Sequence, residues 1–401
     1  MNDSTLSAAF VNKPIPTVLE KRGIYLALAG FLIAGIGFLI EPHRSLFMYL
    51  VLFMYLISLG LGPLFIITLE YLAGAVWSVP IRRVAEALVS ILPAAAIIGI
   101  PLLFSMHSIF EWTHADVVAH DPILKGKVAW LNIPSFVIRY VLYFAIWITF
   151  WKIFTANSKK QDESKDQNLT TRNIRWSAFF MVLFAFTLTI AAVDWMMSLS
   201  PHWFSTMYGV YYFAGTVLSG FALLTLFVIP LKQKGYLHPK MSNQNLYPLG
   251  TFMFAFNAFW CYIAYSQFML IWYGNIPEET QYFVPRWENG WQYYSIFLIL
   301  IHFPVPFFGL ISRPAKTNPN RLMFMAAWLL AVHFFDLYFL IMPSYHLADG
   351  SLSGPGFSFT DIGYPLIAAG LVLILFKNFA NKSNLVPVGD PKLERGLNWH
   401  A

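Results

Sequence analysis

Residues 45–71 read SLFMYLVLFMYLISLGLGPLFIITLEY, and the first charged side chain in that run is Glu70. An apolar run of about 20 residues is what crosses the hydrocarbon core of a bilayer as an α-helix. Working outward, windows of the same character fall at 23–41, 84–108, 134–155, 174–197, 203–230, 246–273, 291–311, 321–343 and 359–380, which makes ten candidate spans. The whole chain agrees. Of its 401 residues 58% are hydrophobic and only 11% charged, against about 25% charged in an ordinary soluble domain. Mean hydropathy is +0.58. A water-soluble globule of this length cannot hide so much apolar surface. The expected fold is an all-α integral membrane protein with ten transmembrane helices. A soluble enzyme, a disordered chain and a nucleic-acid binder are excluded.

The loops set the orientation. Lys13, Lys21, Arg22, Arg82, Arg83, the 156–173 segment, Lys232, Lys234, Lys240, Arg313, Lys316, Arg321, Lys377, Lys382, Lys392 and Arg395 fall on one side. The other side holds only Arg44, Lys125, Lys127 and Arg286 in its loops. The positive-inside rule then places both termini in the cytoplasm, and the net charge of +6 implies no polyanionic partner. Lys21-Arg22 directly before the first span, with no cleavage site after it, suggests a retained signal anchor. The organisation read from this is a cytoplasmic segment 1–22, spans one to four in 23–155, a cytoplasmic linker 156–173 whose polar stretch 157–168 reads as flexible, spans five to ten in 174–380, and a cytoplasmic tail 381–401. The polar start and tail are expected along the membrane surface or a partner.

With the first and last spans peripheral, spans two to five and six to nine form two four-helix bundles that begin on the same side, a parallel repeat. Span five ends with Asp194, Trp195, Pro201 and His202, and span nine with Asp336, Leu337, Pro343 and His346. In each a proline follows the aspartate by seven residues.

A charged side chain at the centre of a lone membrane helix costs about 2.5–3.5 kcal/mol, so such groups pair or do chemistry. Asp194 lies near the outer end of span five, and His333 and Asp336, three apart, share a face of span nine. Arg139 is one turn into span four, His302 is in the middle of span eight, and His107, Glu111 and His202 lie near the outer surface. The functional reading is a proton path or polar pocket facing outward. For Arg139 the plainer role, neutralising an aspartate across two helices, is preferred. For Asp336 with His333 the functional one is. His302 reads as a satisfied interior histidine. On the cytoplasmic side Glu70 and Glu86 flank Arg82 and Arg83. The arginines are explained as topology signals, and Glu86 either pairs with one of them or marks the mouth of a proton route.

Other chemistry is set aside on the same residues. Cys261 is the single cysteine, so a disulfide framework, a cysteine-ligated iron–sulfur cluster and a thioether haem are excluded. Deep histidines are too few for a bis-histidine haem. His114, Asp116, His120 and Asp121 are of zinc-binding types, but their spacing reads better as a solvated amphipathic segment.

Two signatures then stand out: Glu70-Tyr71-Leu72-Ala73-Gly74-Ala75-Val76-Trp77-Ser78 with Ile81-Arg82-Arg83-Val84-Ala85-Glu86, and Ser266-Gln267-Phe268-Met269-Leu270-Ile271-Trp272-Tyr273-Gly274-Asn275-Ile276-Pro277-Glu278-Glu279. With Val193-Asp194-Trp195-Met196 and the Asp336 to Pro343 stretch, the chain over 23–380 resembles the F subunit of bacterial alternative complex III. That is a quinol:electron-acceptor oxidoreductase, and the subunit belongs to the NrfD-like, polysulfide-reductase anchor superfamily. The resemblance implies two four-helix bundles between peripheral helices, the bacterial inner membrane, and no redox metal on this chain. It implies oxidation of menaquinol or ubiquinol. The implied partners are an iron–sulfur subunit, c-type haem subunits, a homologous C subunit and a terminal oxidase or periplasmic carrier, with membrane lipids around them. It also implies a proton path or a quinone-binding pocket at Asp194, Asp336, His333, Glu70 and Glu86, although the C subunit is the better-supported quinol binder. Glu278 and Glu279, with Arg286 and Glu288, are expected to dock a partner on the outer side. Two other functions would use the same features, a stand-alone secondary transporter working through intramembrane acids and a purely structural anchor.

Overall fold

The computed structural model describes residues 13–348 and 354–400. Among them there is no strand. Ten helices are long and apolar enough to cross a membrane, and the chain is a multi-pass membrane protein. They are α1 Thr17–Ile40, α2 Pro42–Ala73, α3 Val79–Phe104, α4 Ile133–Ser164, α5 Gln167–Trp195, α6 Tyr208–Gln233, α7 Tyr247–Gly274, α8 Trp291–Leu310, α9 Pro319–Ala348 and α10 Gly363–Ala380.

Helices α2 to α5 close one four-helix bundle and α6 to α9 a second, and the two meet where α2 packs against α6 and α9, and α5 against α6. The run 45–71 is hydrophobic all round because α2 stands at the centre of the molecule, with its most apolar stretch fully buried. Helices α1 and α10 pair with each other at the edge. The buried positions of α1 are Gly23, Ala27, Gly30, Ala34 and Gly37, a stripe of small residues that lets two backbones meet in lipid. A Cβ on Gly30 would lie 2.6 Å from the Gly363 carbonyl oxygen, whereas one on Gly35 would meet nothing within 4 Å. Gly30→Leu is therefore expected to cost about 1–3 kcal/mol by overpacking and Gly35→Leu nearly nothing. Thermal unfolding in detergent checks this, and equal midpoints for the two variants would contradict the pairing.

Two helices are broken. α3 runs in pieces, with Pro93 and Pro101 inside it. Carbonyls along it accept bonds from neighbouring helices: Ala96 from Tyr140 Oη (2.6 Å), Ile98 from Tyr49 Oη (2.7 Å) and Glu86 from Trp151 Nε1 (2.9 Å). α8 breaks after His302, before Pro304. There Asn257 Nδ2 donates to the Phe303 carbonyl (3.2 Å) and Trp328 Nε1 to that of Ile301 (2.8 Å). Broken helices survive in lipid only when neighbours satisfy the backbone in this way.

The linker expected at 156–173, flexible over 157–168, is instead a helical hairpin. α4 continues to Ser164, α5 starts at Gln167, and Lys165 turns the chain with φ 53°. Its polar side chains face each other across the hairpin: Gln161 Nε2 donates to Thr170 Oγ1 (2.8 Å) and Asn157 Nδ2 to Asn173 Oδ1 (2.7 Å). Composition reads such residues as solvated because it cannot see that they pair. The tail also departs from expectation. It folds over the end of the bundle that carries most of the basic residues, burying Leu385, Val386, Leu393 and Leu397, and Asn245 Nδ2 donates to the Gly396 carbonyl (2.9 Å). Residues 1–12 of the expected N-terminal segment, and the side chain of His346, lie outside the described residues.

Candidate functional site

Each bundle holds one deeply buried aspartate, and their surroundings differ. In the first, Asp194 near the end of α5 receives a bidentate arginine from α4: Arg139 Nε donates to Oδ2 (2.7 Å) and Nη2 to Oδ1 (3.0 Å). Tyr143 Oη donates to Oδ2 (2.6 Å) and Trp130 Nε1 to Oδ1 (3.0 Å). Arg139 Nη1 is used by Ser135 Oγ (2.6 Å) and the Trp130 carbonyl (3.0 Å). Here the carboxylate has a paired cation and four donors, an arrangement suited to tying helices together.

In the second bundle Asp336 on α9 is equally buried. Tyr211 Oη of α6 donates to Oδ1, and Trp260 Nε1 of α7 donates to Oδ2 at 3.1 Å. Among the described residues no lysine or arginine pairs with it. Two histidines bracket it instead. His302, at the break in α8, lies face to face on Trp260, with ring centroids 3.4 Å apart and planes 7° apart. His333 sits one turn before Asp336, beside Gly215 of α6. A Cβ on Gly215 would come within 2.9 Å of the His333 ring and 3.8 Å of Asp336 Oδ2, so the missing side chain makes the space that holds both. Among the described residues neither ring nitrogen of His302 or of His333 has a hydrogen-bond partner. His302 is thus not the satisfied interior histidine that its sequence context suggested. The helix break leaves its ring against an indole face that offers no lone pair.

From Asp336 the rings of Tyr211, Tyr208 and Tyr282 lead away from the basic end. Tyr208 and Tyr282 meet edge to face at 6.4 Å, and the Arg286 guanidinium lies 3.5 Å over Tyr282. Tyr282 and Arg286 in turn border a cavity of about 710 Å³ that also meets His43, His107, Glu111, His114 and His202. Apart from His43 on α2, these groups sit on the segments that join spans of both bundles, so the cavity exists only once they have packed. The His107 and His114 rings are 3.7 Å apart. Asp121 caps the short helix Pro122–Lys127 through the amides of Ile123 (2.8 Å) and Leu124 (3.1 Å) and pairs with His202. His202 and those amides hold its carboxyl below the usual range. Asp116 and His120 lie exposed on the helix Ala115–His120, and among the described residues no three metal-binding side chains converge.

At the basic end, four carboxylates surround two guanidiniums. Arg82 meets Glu70 (2.7 Å), Asp390 (2.8 Å) and Glu86 (3.6 Å), and Arg83 meets Glu86 (3.0 Å) and Asp162 (3.1 Å). Arg83 also donates to Ser158 Oγ (3.0 Å) and the Asn384 carbonyl (3.3 Å). The two arginines, explained from sequence as topology signals, are buried hubs because the α4–α5 hairpin and the tail cover them. Glu70 and Glu86 are members of that ion network.

The expected partner-docking group is divided. Glu278 and Glu288 are exposed and Glu279 half-buried, but Arg286 is buried and donates to the carbonyls of Tyr282 (2.6 Å) and Leu340 (3.1 Å). It is not available to a docking surface, since its loop turns the side chain inward under α9. Tyr143, Tyr211, Trp260, Gly215, Asp162 and Asp390 went unread in the sequence. The first three are aromatic residues in helices where such rings usually pack. The pattern available for them was the seven-residue Asp–Pro spacing, which marked the aspartates but not their donors. The chain matches no model of a known protein family, and no curated protein matches it.

Proposed function

We propose that this chain is an integral membrane subunit of a bacterial quinol:electron-acceptor oxidoreductase of the alternative complex III kind, and that its second bundle handles protons. The observation that carries the reading is Asp336: an acid fully inside the protein, held by a hydroxyl and an indole, without a cation, and flanked by two histidines with free ring nitrogens. A carboxyl group in that setting can take up and release a proton, while Asp194, tied to Arg139, serves to hold helices together. Oxidation of menaquinol or ubiquinol releases two electrons and two protons. The electrons pass to iron–sulfur and c-type haem subunits beside a homologous C subunit, and on to a terminal oxidase or periplasmic carrier. The protons leave through Asp336, the tyrosines and the histidine-bordered cavity. The protein would lie in the inner membrane with both termini in the cytoplasm, consistent with its basic loops.

Extraction from the native membrane in mild detergent tests the assembly. Iron–sulfur and haem-bearing chains are expected with it, and recovery of the chain alone contradicts the proposal. Dicyclohexylcarbodiimide couples to carboxyl groups that carry a proton in apolar surroundings. It is expected to label Asp336, slow quinol-driven proton release and spare Asp194, as read by peptide mass spectrometry. Equal labelling of both, or of neither, removes the distinction on which the proton role rests.

A further inference from the structure

Five arginines are buried among the described residues, and four hold a carboxylate: Arg44 with Asp361 (2.6 Å), Arg82 with Glu70 (2.7 Å), Arg83 with Glu86 (3.0 Å) and Arg139 with Asp194 (2.7 Å). Arg286 holds none. Its Nη1 and Nη2 donate to two backbone carbonyls, and its Nε has no partner. A guanidinium offers five N–H donors, so three remain unused, and an uncompensated charge taken out of water costs several kcal/mol. Burial pulls its pKa below the ordinary guanidinium range, opposed only by the nearby tyrosines.

Besides the histidine-bordered cavity, Arg286 borders a second opening, a crevice of about 180 Å³ between α7 and α8 with Trp260, Ala264, Phe268, Ser295 and Phe339 around it. This is smaller than the roughly 300–1,000 Å³ of pockets that enclose a whole drug-sized ligand. It fits the start of acyl chains whose remainder stays in the bilayer. Tyr265, Trp287 and Ile299 at its rim are exposed on the outer face of the helices, so the crevice opens sideways toward lipid. Arg286 itself lies in the short segment Val284–Trp287 between the two helices, near the level of membrane headgroups, where tryptophan and tyrosine gather.

We propose that Arg286 anchors a phospholipid with an anionic headgroup, whose phosphate oxygens take the unused guanidinium donors while the start of its acyl chains lies in the α7–α8 crevice. An anion supplies what the other four buried arginines obtain from aspartate or glutamate, and the apolar crevice selects one that carries a tail.

Native mass spectrometry of the full-length protein in detergent tests this with phosphatidylglycerol, phosphatidylcholine and inorganic phosphate as probes. Wild type is expected to retain one phosphatidylglycerol under activation that strips phosphatidylcholine. Arg286→Gln is expected to lower that retention by at least about tenfold. Ala264→Trp, which fills the crevice and leaves Arg286 in place, is expected to do the same, which covers the case in which Arg286→Gln fails to fold. Undiminished phosphatidylglycerol in either variant overturns the site. Displacement of the lipid by millimolar inorganic phosphate, with Ala264→Trp still binding phosphate, would show an anion entering from the aqueous cavity instead and overturn the lipid as occupant. Preference for an uncharged quinone analogue over phosphatidylglycerol overturns the charge argument.

Discussion

Replacing Arg139 by glutamine is expected to cost about 3–5 kcal/mol of folding stability, the range for removing one partner of a buried ion pair. Asp194 is fully buried and receives two of its four hydrogen bonds from that guanidinium. Without it the carboxylate keeps its charge in an apolar setting or must take up a proton. The loss is not only of two bonds, since α4 and the Trp130 loop are held to α5 through the same side chain. The Arg139→Gln/Asp194→Asn double variant is expected to recover a good part of the loss, because it removes the stranded charge together with its partner. Unfolding in detergent across the four proteins of this cycle measures the coupling. A single Arg139→Gln variant within about 1 kcal/mol of wild type would mean that Asp194 does not depend on the pair.

Asp336→Asn is expected to behave differently, losing less stability than Arg139→Gln and failing in function. The shape is kept, and one oxygen remains to accept a bond. The amide nitrogen cannot accept, so the bond donated by Trp260 or by Tyr211 is lost, and a buried donor left without a partner costs about 1–3 kcal/mol. What is lost is the exchangeable proton. Positioned acid–base groups contribute about 10²–10⁴-fold to rates that need them, so quinol turnover and its coupled proton release by the reconstituted complex are expected to fall by about that factor. Asp336→Glu is expected to restore part of it. Unchanged turnover and proton release in Asp336→Asn would leave this chain as a scaffold only. Because the two aspartates occupy corresponding helices of the two bundles, each serves as the other's control.

Much of this molecule was legible before folding. Hydropathy is a local property that lipid reads window by window, so 45–71 and the other nine runs declare their spans without reference to tertiary contacts. The peripheral place of α1 and α10 is different: the grouping of spans supposed it, and only their packing on each other supplies it. A closer reading would also have found the Gly23, Ala27, Gly30, Ala34, Gly37 stripe that joins them. The two aspartates announced themselves because charge in an apolar helix is costly whatever surrounds it. Which of them is neutralised was a matter of partners far away in the chain. Asp336 meets Tyr211 across 125 residues and Trp260 across 76, and Arg44 meets Asp361 across 317. Composition read 157–168 as flexible and Arg286 was expected to help dock a partner, yet one lies in a paired helical hairpin and the other is a buried guanidinium with no carboxylate among the described residues. In a bilayer the sequence decides which segments leave water, since that transfer depends on each segment alone. Only packing decides which buried charges find an opposite, because that depends on which two helices come to lie side by side.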